Sequence, residues 1–71
     1  MQINATEYRA KDIVKLIREW TELTQEEFAK SIGKTRKIVR NYEQGITECK
    51  LDTLLEIARI HSITINIIKH K

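Results

Sequence analysis

The chain has 71 residues, a formal net charge of +3, 41% hydrophobic and 32% charged side chains, and one cysteine. That is enough for one domain, residues 1–71, and the composition excludes a disordered polyelectrolyte. Lone Cys49 excludes an internal disulfide and cannot build a zinc site by itself, and no apolar run approaches the roughly 18 residues of a membrane span.

The charge is unevenly placed. From Phe28 to Tyr42 the chain carries Lys30, Lys34, Arg36, Lys37 and Arg40 and no acid. One basic segment on an otherwise balanced chain suggests a surface for a polyanion, although a solvated helix face accounts for the charge alone equally well. Met1–Asn4 lacks the features of a signal peptide, which points to a cytoplasmic protein.

In chain order, the first helix is expected to be capped by Thr6 and to run to about Trp20. Ile13, Leu16, Ile17 and Trp20 fall at i, i+3, i+4 and i+7, one face of a helix. Trp20 is expected to add a core contact against the C-terminal tail. Thr24-Gln25-Glu26-Glu27 has the pattern of a capping box, so the second helix starts at Gln25, buries Phe28, Ala29 and Ile32, and stops at Gly33. Thr35 is a second N-cap. The third helix runs from Arg36 to about Gln44, burying Val39 and Tyr42, and Gly45 closes it.

Leu51, Leu54, Leu55 and Ala58 mark the inner stripe of a fourth helix fading near His61. The period then changes: Ile63, Ile65 and Ile67 alternate with Thr64 and Asn66, which predicts a strand over about 63–69. A lone strand needs a partner. Two are available: the short N-terminal segment Gln2–Ala5, or the same tail of a second chain. The N-terminal segment is brief and polar, so the second chain is the favoured partner, and Ile63, Ile65 and Ile67 become the expected dimer interface.

Two short helices joined by a tight turn, the second basic, form a helix-turn-helix over about residues 25–44. Small Ala29 allows the third helix to cross closely, Gly33 permits the turn, and Val39 and Tyr42 anchor the third helix from behind. Arg36, Lys37, Arg40 and Asn41 then project outward.

Leu23-Thr24-Gln25-Glu26-Glu27-Phe28-Ala29, Ile32-Gly33, Thr35-Arg36, Tyr42-Glu43 and Gly45, followed by Leu51–Ala58, resemble the Cro/C1-type (XRE) helix-turn-helix family of phage and bacterial repressors. The resemblance covers roughly residues 13–61. It implies an all-α, four-helix, lambda repressor-like domain, here with a C-terminal β-strand. It also implies a sequence-specific transcriptional regulator that binds a palindromic operator on double-stranded DNA as a homodimer, with helix 36–43 in the major groove.

Base contacts are expected from Arg36, Lys37, Arg40 and Asn41, since arginine suits guanine O6 and N7 and asparagine suits adenine N6 and N7. Backbone contacts are expected from Thr24, Gln25, Lys34, Thr35 and Lys50. Ile38 could touch a thymine methyl or pack into the core.

The family often has glycine where Glu22 and Ser62 stand and proline where Cys49 stands, which is expected to loosen the turns. The ending Ser62–Lys69 is similar to antitoxins that partner Hip-type toxin kinases. A DNA-binding antitoxin with a toxin protein as partner is therefore the alternative function. Nothing suggests a nucleophile with its base, a phosphate-cradling glycine loop or a metal cluster. The expectation is no enzyme activity, no cofactor and no metal.

Overall fold

The computed structural model describes residues 1–4 and 8–66. Its elements are β1 (Gln2–Asn4), α1 (Ala10–Thr21), α2 (Gln25–Ser31), α3 (Arg36–Gln44), α4 (Leu51–Ile60) and β2 (Thr64–Asn66). The four anticipated helices are present, together with a C-terminal strand.

Helix α1 begins later than its sequence suggested. Arg9 is extended (φ −80°, ψ 157°) and no side chain caps the helix, so the first turn opens at Ala10. Thr6, the expected cap, lies outside the described residues. The buried face is also rotated, because Ile13, Val14 and Ile17 are buried and Leu16 is half-buried. Val14 and Trp20 sit on opposite shoulders of the Ile13–Ile17 line on a wheel of 3.6 residues per turn. Trp20 falls in the last turn of α1 and is 61% exposed. The expected core contact of Trp20 is overturned.

Glu22 ends α1 in the left-handed region at φ 60°, and Ser62 follows α4 at φ 55°. These are the two positions where the resembled family often carries glycine. The turns therefore keep a glycine-like backbone in spite of the side chains. Left-handed backbone costs an L-residue roughly 1–2 kcal/mol.

The inner face of α4 differs in part from the expected stripe. Leu54, Ile57 and Ala58 are buried, whereas Leu51 and Leu55 are 54% and 44% exposed. Ile57 and Leu54 flank the contact line, and a 100° turn per residue leaves Leu51 and Leu55 on one shoulder. The C-terminal end of α4 meets α2 through His61. Its ring stacks on Phe28 with centroids 5.1 Å apart, and Nε2 lies 2.9 Å from the Ser31 hydroxyl.

Strand β2 pairs in parallel with β1 of the same chain, in the register Gln2↔Thr64, Ile3↔Ile65 and Asn4↔Asn66. Thr64 N–H donates to the Met1 carbonyl (3.0 Å), and the Asn66 side-chain amide donates to Gln2 Oε1 (3.2 Å). The disfavoured candidate is thus the observed partner of Thr64–Asn66. One isoleucine suffices, because Ile3 is 2% exposed and joins the central core with Phe28, Val39, Leu54 and Ile57. Ile63 is buried in that same core, and Ile65 packs half-buried against it. Ile67 and the expected strand end at Lys69 lie outside the described residues.

Candidate nucleic-acid interface

The expected helix-turn-helix is assembled by local hydrogen bonds. The Thr24 hydroxyl accepts from Glu27 N–H (3.1 Å), and Thr24 N–H donates to Glu27 Oε1 (3.0 Å). This capping box holds the Glu27 carboxyl below its ordinary pKa, chiefly through the backbone hydrogen bond from Thr24. Gln25 opens α2, half-buried, behind Thr24.

After Ser31 the chain turns through Gly33 at φ 69°. A Cβ there would meet nothing within 4 Å. Glycine is therefore required by the backbone angle and not by space. Lys34 N–H donates to the Ala29 carbonyl (2.9 Å), which locks the turn against α2. Ala29 is buried in α2, and α2 packs against α3. Thr35 then caps α3 by accepting from Ile38 N–H (3.2 Å).

The two sides of α3 are sharply divided. Val39 and Tyr42 are buried, and Ile38 packs half-buried on the core, consistent with the packing role weighed for it. Burial also raises the Tyr42 phenol above its ordinary pKa. Lys37 and Arg40 point away from them and are exposed, Arg36 is exposed at the flank in the first turn, and Asn41 is half-exposed. A shallow concavity of about 250 Å³ lies between Arg36, Lys37 and Arg40. Among the described residues none of Lys34, Arg36, Lys37, Arg40 and Lys50 takes part in an ion pair. Lys50 is exposed at the N-cap of α4, set apart from the Arg36–Asn41 cluster in sequence by the Gly45–Cys49 loop.

One functional pair was not legible in the sequence. Arg18 of α1 grips Glu43 of α3 with two hydrogen bonds, Nε to Oε2 and Nη2 to Oε1, each 2.8 Å. The side chains are only 19% and 6% exposed. The hydrogen bond to Glu43 raises the Arg18 pKa, outweighing the opposing effect of burial. The pair braces the C-terminal half of α3 from behind, so the helix presents its outer face at a fixed angle. Opposite charges 25 residues apart leave no periodic signal.

Among the described residues no group of three or more histidine, cysteine or acidic side chains could hold a metal ion, and no helix is long and apolar enough to cross a membrane. Cys49 is buried and free, with its thiol pKa pushed up by burial.

A family described as helix-turn-helix matches residues 14–68 of the chain. No curated protein and no solved structure shows a significant match.

Proposed function

The chain belongs to the Cro/C1-type helix-turn-helix family of DNA-binding regulators, and from that premise we propose that it is a cytoplasmic repressor acting as a homodimer on a palindromic operator. Helix α3, over residues 36–43, enters the major groove. Arg36, Lys37, Arg40 and Asn41 read base edges, with Arg36 at the leading end. Thr24, Gln25, Lys34, Thr35 and Lys50 contact the phosphate backbone and set the register.

The observation that carries this reading is the outer face of α3. It holds three exposed cations without a counter-ion among the described residues, on a helix whose other face is anchored in the core. A polyanion supplies the missing charge.

The sheet supports the dimer. Strand β2 uses one edge for β1, and a two-stranded sheet is marginal without further strands. The other edge of β2 pairs antiparallel with the same edge of a two-fold mate. Ile63 contributes from below as part of each protomer's core, and Ile65 flanks the seam. The two recognition helices then stand about 34 Å apart, one turn of DNA.

Selection of bound sequences from a random duplex pool, at a stated salt concentration, tests this function. The expected result is a two-fold symmetric site bound with an affinity that falls steeply with salt, each phosphate contact adding roughly −0.9 to the log–log slope. Enrichment of no sequence, with salt-independent binding, contradicts it. Ile65→Lys is expected to sediment as a monomer with much weaker operator binding. A variant that remains dimeric moves the interface elsewhere.

A further inference from the structure

Lys11 lies on α1, outside the helix-turn-helix, yet it is placed beside the recognition helix. Lys11 and Arg18 are seven residues apart and so share one side of α1. Arg18 uses that side to reach Glu43. Lys11, two turns earlier, lies across the end of α3: a Cβ built on Gly45 would stand 3.2 Å from Lys11 Cδ. The half-buried lysine stem therefore rests on the glycine that closes α3, with the ammonium two bonds beyond that contact.

We propose that Lys11 holds a DNA backbone phosphate beside the C-terminal end of α3, an inference that rests on the DNA-binding reading above. The major groove is about 12 Å wide and a helix with its side chains about 10–12 Å across, so α3 fills the groove. A side chain at the flank of α3 that reaches toward its outer face then meets a phosphate wall. Lys11 stands there with Thr47 of the following loop, along a concavity of about 300 Å³.

Three features favour a ligand over a purely structural task. Packing on Gly45 orders the stem before binding, so less side-chain entropy is lost on contact. Among the described residues Lys11 forms no ion pair, although Glu48 lines the same concavity. Lys50, a backbone candidate already, stands at the far end of the same loop.

Lys11→Met keeps the stem over Gly45 and removes the charge. Its binding to the selected duplex and to a random duplex is measured from about 50 to about 200 mM salt, where the slope reports displaced counterions. The expected result is a log–log slope shallower by about 0.9 on both duplexes, so that the affinity lost on each shrinks by about 3.5-fold between the low-salt and high-salt ends. The unfolding midpoint stays in place, and Lys11→Arg restores the slope. An unchanged slope beside a steep wild-type slope overturns the proposal, as does weaker binding that tracks a lowered unfolding midpoint. A wild-type chain without salt-dependent binding overturns the DNA reading itself and this proposal with it, so the two failures are distinguishable.

Discussion

On its inner face α3 carries Val39 and Tyr42, both buried, and a Glu43 carboxylate gripped by Arg18. On its outer face Arg36, Lys37 and Arg40 stand exposed with no counter-ion among the described residues. The inner face is satisfied by the fold. The outer face works against it, since Arg36 and Arg40 at i,i+4 and Lys37 and Arg40 at i,i+3 repel by a few tenths of a kcal/mol each. A helix so divided separates what holds it from what it holds, and the two can be disrupted independently.

The largest expected effect comes from the inner face. Arg18→Met leaves the Glu43 carboxylate, whose side chain is 6% exposed, without its partner. Stability should fall by about 3–5 kcal/mol, the range for a buried pair that loses one partner. Denaturant unfolding measures it. A loss under about 0.5 kcal/mol would class the pair with exposed ones.

On the outer face, Arg36→Ala should cost about 1–3 kcal/mol on the selected operator and relax preference at one base position. Its unfolding curve should not move. Lys34→Ala should weaken all duplexes about equally. Equal losses on operator and random DNA for Arg36→Ala would reduce it to a phosphate contact.

Smaller changes sharpen the contrast. Glu22→Gly and Ser62→Gly each relieve a left-handed residue, offset by the greater chain entropy of glycine, for a net gain of about 0.5–1 kcal/mol. Operator affinity should be unaffected, and a loss of stability would mean that these side chains compensate the strain. The smallest effect belongs to Arg40→Gln. It should stabilise the free protein by a few tenths of a kcal/mol while weakening DNA binding. A change of both properties in the same direction would contradict the division.

How much of this was legible in the sequence depended on the range of the interactions. Thr24 with Glu27, Thr35 with Ile38, and the two glycines act within a few residues, and they appear where the sequence placed them. The basic face of α3 follows directly from helical period. The start of α1 was misplaced because Thr6 resembles a cap while extended Arg9 delays the first turn to Ala10. Trp20 and Leu55 were misassigned because apolar character marks a face only to within a shoulder, and neighbouring elements decide which shoulder is covered. The pairing of Ile3 with Ile65 and the Arg18–Glu43 bridge join distant parts of the chain. Neither leaves a local pattern, and a three-residue strand is too short to announce itself.

The most direct test of the central claim is an NMR titration of the isotopically labelled chain with its selected duplex, mapping which backbone amides shift. The account predicts the largest shifts at Lys34–Asn41, with a second group at Thr24 and Gln25. Largest shifts on β1 and β2, or around Trp20, with α3 unmoved, would contradict it.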